Sequence, residues 1–378
     1  MTTYSYAVSR AVTLGGADIS DTVLSATCNL GFSGRVSNCR IEVTSEPAGW
    51  AYWDALTFTV GYVGGNVVER FDGYLVDVSY RNWPASVTLI GKGPLVLAQR
   101  VTAPEDAESG GVDLSAGGTG QTDGAIATQV LTACGLTARL GTIGGTARVL
   151  GTQASDKFTW KSGQTGLSVI EMLDKISLGY LTYEQLGGEI VRSLVSPLVP
   201  NEVTEWTLVR GVDIAAGASS LHSIKQAKNR VIVEGWNDGA TKRRAEVTGA
   251  HPAAPPGVTY DTLRLSSSWI EREATTDAGD GLACDEVADW LLLENNSRVV
   301  EATIPTWRDY AFEPGQAVTL TDATLGLDQA VWVRDVTLAL SRSGELTQTL
   351  TVRALLDKTG QATGSGVGTG TADGEVVV

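Results

Sequence analysis

Between Phe312 and Val352 the chain alternates apolar and polar positions with a period of two. Val336, Leu338 and Leu340 fall on one face of an extended segment while Thr337, Ala339 and Ser341 fall on the other, and Thr347, Thr349 and Thr351 keep the same period. Pro314-Gly315 and Ser343-Gly344 have the chemistry of tight turns, one residue presetting φ or bonding locally and the glycine free to take φ > 0. The pattern predicts a meander of half-buried antiparallel strands. Such a meander buries one face and leaves edges, so it is expected to close into a barrel or to pack on a second sheet.

The same period runs through the first hundred residues. Ile41 and Val43 alternate with Arg40, Glu42 and Thr44, Phe58 and Val60 with Thr57, Thr59 and Gly61, and Val87 and Leu89 flank Thr88. Gly64-Gly65 suits a hairpin turn between 57–63 and 67–78. Residues 1–101 therefore read as a first all-β unit, and Ala103-Pro104-Glu105-Asp106 as the start of an exposed connection. The period then changes. Asp123 is placed to cap a helix whose Ile126, Val130, Leu131 and Cys134 share a face and which stops at Gly135. A second helix from Thr165 turns Leu167, Ile170, Leu173 and Ile176 inward and ends at Gly179, and a hairpin pairs 180–184 with 189–192.

Residues 102–200 are thus an α+β insert. Strands resume at 203–209 and 229–235, break at the proline-rich 251–257, and return at 298–304, with a helix from about Asp280 carrying Ala283, Val287, Trp290 and Leu291 on one side. The second β unit is expected to be split, 201–248 with 297–356, around an insert at 249–296. Gly360, Gly364, Gly366, Gly368, Gly370 and Gly374 make 357–378 a linker-like tail, whose Val376, Val377 and Val378 form a candidate strand for a neighbour's sheet edge. The predicted fold class is mainly β with α+β insertions: two antiparallel β-barrels plus small inserted domains.

Composition narrows the function classes. A chain of 378 residues is long for one core, and 43% hydrophobic residues with 10 Trp supply several. No run reaches the roughly 18 to 20 apolar residues of a membrane span, and the N-terminus shows no secretion signal, so a cytosolic site of synthesis is expected. The formal net charge of −15 and the dispersal of 28 Lys and Arg, clustered only at Lys242-Arg243-Arg244, argue against an outer surface that grips nucleic acid. The acidity reads either as solubility or as a surface that repels DNA.

Candidate chemistry is sparse. The two histidines, His222 and His251, lie in no frame of nucleophile and carboxylate, and no phosphate-binding glycine loop or nucleophile elbow is present. The adjacent carboxylates Glu105-Asp106 and Asp285-Glu286 do not face one another on a helix. Cys28, Cys39, Cys134 and Cys284 show no metal-ligand spacing, so neither a metal nor a cofactor is expected and the reading is not an enzyme. Cys28 and Cys39 lie symmetrically about Ser33-Gly34 and would face each other in a simple hairpin; the expectation is a reduced, buried pair, with a disulfide as the alternative. Trp50 and Trp53, either side of Tyr52, are candidate partner-binding residues. Such rings stack on sugars or bases, or anchor a loop or fill a protein interface.

Phe71-Asp72-Gly73-Tyr74-Leu75-Val76-Asp77-Val78 followed by Val87-Thr88-Leu89-Ile90-Gly91-Lys92-Gly93 resembles the first barrel of phage tail hub proteins of the tail tip and baseplate. Asn229 to Gly235, Pro314 to Val318 and Trp332 to Gly344 look like their second barrel, and the resemblance spans most of 4–356. It implies two tail-tube-like barrels per chain and a homotrimer whose six barrels form a ring, adapting a six-fold tube to a three-fold tip or fibre. It also implies tail-tube or distal tail proteins, a tape measure protein and a separate tip or fibre protein as partners, DNA only in transit through the lumen, and a place in the virion after assembly in host cytoplasm. The rival reading is a β-rich carbohydrate-binding module of a surface appendage, built on Trp50, Tyr52 and Trp53.

Overall fold

The structure is a computed structural model that describes residues 8–32, 35–63, 67–82, 85–103, 111–146, 149–150, 158–177, 179–194, 204, 206–222, 230–234, 242–246, 267–271, 300–306, 311–325 and 327–354. The first β unit comprises β1 (Val8–Leu14), β2 (Ala17–Asp18), β3 (Val23–Gly31), β4 (Asn38–Val43), β5 (Ala55–Tyr62), β6 (Val67–Asn82) and β7 (Ala85–Lys92), followed by the short helix α1 (Val96–Arg100). Its pairings are antiparallel in the order β3-β4-β7-β6-β5-β1-β2. Val12, Leu14, Ile41, Val43, Leu56, Phe58, Val60, Leu75 and Leu89 point inward from alternating positions and make one core. The glycines in and near the F-x-G stretch have a packing reason. A Cβ on Gly73 would lie 2.7 Å from the Phe71 ring, and one on Gly91 would lie 2.7 Å from Leu56 and 2.8 Å from Phe71.

The insert holds β8 (Gly111–Asp113), β9 (Gln121–Thr122), α2 (Asp123–Ala133), β10 (Leu140–Ile143), β11 (Val149–Leu150), β12 (Thr159–Lys161), α3 (Gly166–Ile176), β13 (Tyr180–Glu184) and β14 (Ile190–Leu194). The inward faces of both helices are as the 3.6-residue period predicts: Ile126, Val130, Leu131 and Cys134 meet Leu167, Ile170 and Leu173 in a second core around Trp160. Ile176 is in α3, but its side chain lies outside the described residues. The cap of α2 differs from expectation. Thr122 is the N-cap, its hydroxyl accepting from Ala125 N at 3.3 Å, while Asp123 is the first helical residue and is buried.

Asp123 is instead drawn to Arg192 on β14. The fully buried Arg192 guanidinium reaches Asp123 at 3.1 Å and Asp174 at 3.1 Å, and Arg35 closes on the other side of Asp174. Charges this deep persist only when paired, so this cluster ties α2, α3 and the 180–194 hairpin into one arrangement. Ala103, expected to open an exposed connection, is buried, and its N–H donates to Gln164 O at 3.1 Å.

The second β unit comprises β15 (Trp206–Val209), β16 (Ser219–His222), β20 (Val300–Thr306), β21 (Ala317–Asp322), β22 (Leu327–Leu340) and β23 (Leu346–Ala354), with β17 (Arg230–Glu234), β18 (Lys242–Glu246) and β19 (Ser267–Glu271) lying between in sequence. The predicted meander is present as β21-β22-β23. The strand at 230–234, expected in the second barrel, pairs with β18 and β19 in a separate three-stranded sheet. The helix expected from Asp280 lies outside the described residues.

One strand joins the two units. The 14-residue β22 pairs with β23 along one edge, while its other edge pairs with β21 over 327–332 and with β3 over 335–340. Val331 and Val333 are inward on one parity and Val336, Leu338 and Leu340 on the other; a register shift between Val333 and Asp335 absorbs the extra residue and keeps both sets facing core. Val331, Val333 and Val336 fill the second unit's core, and Leu338 and Leu340 the first's. Among the described residues the result is one 13-stranded sheet carrying both cores, with a strand path that runs open from β16 to β2.

The insert packs at this seam. Glu184 on β13 accepts from Ser37 N at 2.7 Å, from Leu95 N at 2.5 Å and from Ser37 Oγ. Tyr183 stands edge-on to Phe32 with ring centroids 4.8 Å apart, and Gly315 (φ 88°) leaves room where a Cβ would come within 2.7 Å of the Tyr183 hydroxyl. Glu42 fastens the β22–β23 turn to the first unit, accepting from Ser86 Oγ at 2.8 Å, Ser25 Oγ at 3.1 Å and Arg342 Nε at 3.2 Å.

Candidate assembly surface

The loop after β4 carries Trp50, Tyr52 and Trp53, and its backbone is tightly held. Ala51 N donates to Asp54 Oδ2 at 2.7 Å, Trp53 N to Leu75 O at 2.8 Å, and Leu75 N returns to Asp54 O at 2.9 Å. Trp53 is thereby fixed at φ 73°, a left-handed conformation that costs a non-glycine residue roughly 1–2 kcal/mol. The loop spends that strain on an outward ring: Trp53 is 45% exposed and Tyr52 57%.

The two candidate tryptophans differ in environment. Trp50 packs against the first core and donates from Nε1 to Glu46 Oε1 at 2.7 Å, with the Tyr52 ring edge-on at 5.2 Å. Trp53 packs edge-on to Tyr74 at 6.2 Å. Tyr80, 60% exposed, donates its hydroxyl to the same Glu46 oxygen at 2.8 Å, and that carboxylate raises the phenol's pKa. Glu46 therefore gathers Trp50 and Tyr80, placed 30 residues apart by sequence, at one end of the first unit. Spacing gave no sign of Tyr80, because the β6–β7 ladder decides which loop it meets.

A second kind of surface lies at the ends of the sheet. β2 covers β1 only at Thr13 and Leu14, and β16 pairs only with β20 among the described residues. Leu221 on β16 is 63% exposed. Unpaired strand edges with apolar side chains are templates for another chain. Val376, Val377 and Val378, the candidate edge-pairing tail, lie outside the described residues, as do His251, Cys284, Glu105-Asp106 and Asp285-Glu286. Among the described residues no group of His, Cys, Asp and Glu is arranged to hold a metal ion, and no helix is long and apolar enough to cross a membrane.

Two other displaced pKa values belong to packing. Burial pushes the Glu184 carboxyl up to about 7 against the pull of the Ser37 and Leu95 hydrogen bonds. The Arg342 guanidinium, followed by Ser86, holds Glu42 down at about 2.

No protein-family model matches the chain, and no curated protein matches it. Among solved structures it is similar to a tail protein from Neisseria meningitidis MC58, with TM-score 0.68 and 12% identity over 92% of this chain and 96% of that one. It is similar to the 43 kDa tail protein of prophage MuSo2 from Shewanella oneidensis, with TM-score 0.66 and 13% identity over 91% and 98%. It is also similar, with TM-score 0.53 and 9% identity over 90% and 76%, to the E. coli c3393 protein, a type VI secretion component described as structurally similar to the T4 tail proteins gp27 and gp5. At these identities the likeness is one of fold, and the fold is that of phage tail proteins, the group the sequence motifs resemble.

Proposed function

We propose that this chain is a structural hub subunit of the tail tip or baseplate of a phage or phage-like particle. The observation that carries the reading is the near full-length likeness of fold to tail proteins, together with two β units joined through one shared strand. The work of such a subunit is geometric. It assembles as a homotrimer whose six β units ring a lumen, adapts a six-fold tube to a three-fold tip or fibre, and passes the tape measure protein and then DNA. Its place is the virion, after assembly in the host cytoplasm, and no catalytic step is part of the reading.

The edges of β1 and β16 that have no partner strand among the described residues suit contacts between β units, since backbone N–H and C=O groups there need partners. The net charge of −15 suits a lumen wall that DNA does not adhere to. The loop bearing Trp50, Tyr52, Trp53 and Tyr80 suits contact with a neighbouring tip or fibre protein, because rigid aromatic rings bury large area at low entropic cost. The tail at 357–378 with Val376, Val377 and Val378 is proposed as a second link to that component.

Sedimentation equilibrium of the full chain tests the core of this reading. A threefold mass is expected, and a stable monomer at micromolar concentration overturns it. Replacing Tyr52 and Trp53 with Ser is expected to leave the oligomer and its melting temperature unchanged while weakening attachment of the next tip component. Unchanged attachment with lost binding to host polysaccharide would instead favour the carbohydrate-binding reading.

A further inference from the structure

We propose that Cys28 and Cys39 form a built cross-strand redox pair, closing into an intramolecular disulfide when the protein meets a hydroperoxide in an oxidising medium. The antiparallel register of β3 and β4 sets Cys28 directly opposite Cys39, between the pairs Thr27–Arg40 and Asn29–Asn38. Directly opposed residues of an antiparallel ladder have Cα atoms about 4.5–5.5 Å apart, inside the window of about 4.4–6.8 Å that a disulfide spans. Both side chains point into the first core, 2% and 0% exposed, and their sulfurs lie 2.6 Å apart. Each thiol's near neighbour is the other thiol.

Cys134 provides the contrast. It is also buried, at the end of α2, but it sits in the insert's separate core beside Val130 and Gly166, and among the described residues no second cysteine lies beside it. Among the described residues its thiol has no cysteine to close on, so oxidation there is expected to stop at oxygenated sulfur, whereas at Cys28–Cys39 it ends in a bond.

The chemistry balances in two steps. A thiolate of the pair attacks one oxygen of the hydroperoxide, the O–O bond breaks, and hydroxide leaves with the thiol proton as water, giving a sulfenic acid. The second thiol then attacks that sulfur, an S–S bond forms, the S–O bond breaks, and a second water leaves. Two thiols and one hydrogen peroxide become one disulfide and two waters. Burial, and then the neighbouring thiol, push Cys39 well above its ordinary range, which makes the first step slow and keeps the pair reduced in a thiol-rich cytoplasm. Closure would staple β3 to β4, and β3 is the strand that carries the seam with β22. A use on release of particles from a cell rests on the hub reading; the bond formation does not, and a monomeric protein that still forms it would overturn only the hub.

The test uses the full chain, purified reduced and then treated with hydrogen peroxide. After unfolding in an alkylating reagent, trypsin cuts at Arg10, Arg35 and Arg40, leaving Cys28 in peptide 11–35 and Cys39 in peptide 36–40. The expected product is these two peptides joined, about 2 Da lighter than their sum and separated by a reductant. A rise in melting temperature of about 5 °C should accompany it in the native sequence and be absent in Cys39→Ser. Recovery of both cysteines as alkylated thiols or as sulfinic acids, with no joined pair, overturns the proposal, as does a link from Cys28 to Cys134 in preference.

Discussion

Glu184 offers a sharp test of how the insert is held to the first β unit. Its carboxylate is buried with three donors, from Ser37 and Leu95, and among the described residues no arginine or lysine bonds to it; Lys92 only tempers the effect of burial. With a folded pKa near 7 against an ordinary 4.5, the group binds its proton more tightly in the folded chain. Stability from this site is therefore full below about pH 4.5 and is lost as the pH rises through 7. A displacement of about 2.5 pH units corresponds to about 3 kcal/mol.

Glu184→Gln removes the titration. At pH 4.5 it should cost about 1–3 kcal/mol, because the amide NH2 cannot accept from the N–H and O–H donors that converge on the site. Urea unfolding of both proteins from pH 4.5 to 8, followed by tryptophan fluorescence, measures the difference. The native protein should lose about 3 kcal/mol more than the variant across that window, bringing the two together at high pH. The comparison cancels every contribution common to both proteins. If the native protein holds or gains stability relative to the variant as the pH rises, the burial argument is wrong.

Two further expectations concern the seam. Gly31 lies opposite Asp335, and a Cβ there would sit 2.8 Å from the Asp335 Cα, backbone against backbone, at a positive φ of 154°. Gly31→Ala should cost about 1–3 kcal/mol and accelerate amide exchange at Val336 to Leu340 ahead of β5 and β6; uniform exchange rates would mean the two units are not joined there. Glu42, held near pH 2 by Arg342 and Ser86, contributes stability present above about pH 4.5 and lost as the pH falls through 2. Because Arg342 is half exposed, the loss should be about 1 kcal/mol, absent in Glu42→Gln and smaller in high salt. An undiminished acid loss in the variant would remove Glu42 from the account.

Much of the architecture was legible because it rests on short-range periodicity. The meander at 317–354, the β3–β4 pairing that opposes Cys28 to Cys39, the inward faces of α2 and α3, and the left-handed Gly135 just past the end of α2 all follow from local spacing. Where the reading failed, a distant partner had outbid a local rule. Asp123 looked like a cap and is a buried counter-ion of Arg192, 69 residues away. The strand at 230–234 looked like a barrel strand because its alternation is right, but alternation does not name the neighbouring strand, and its ladder is with 242–246 and 267–271. The aromatic loop was visible as a loop, while its gathering around Glu46 with Tyr80 was not.

By itself the sequence determined a mainly β chain with an α+β insert, the turns that punctuate it and the absence of any recognisable catalytic frame, since these depend on side-chain period, φ preference and residue chemistry. Only the tertiary structure decided that the two β units share one strand. That depends on the register shift in β22 between Val333 and Asp335, which lets one strand serve two cores, and on Gly31, which admits the Asp335 backbone. Register is an energy of many side chains meeting across strands remote in sequence, and no window of neighbouring residues contains it.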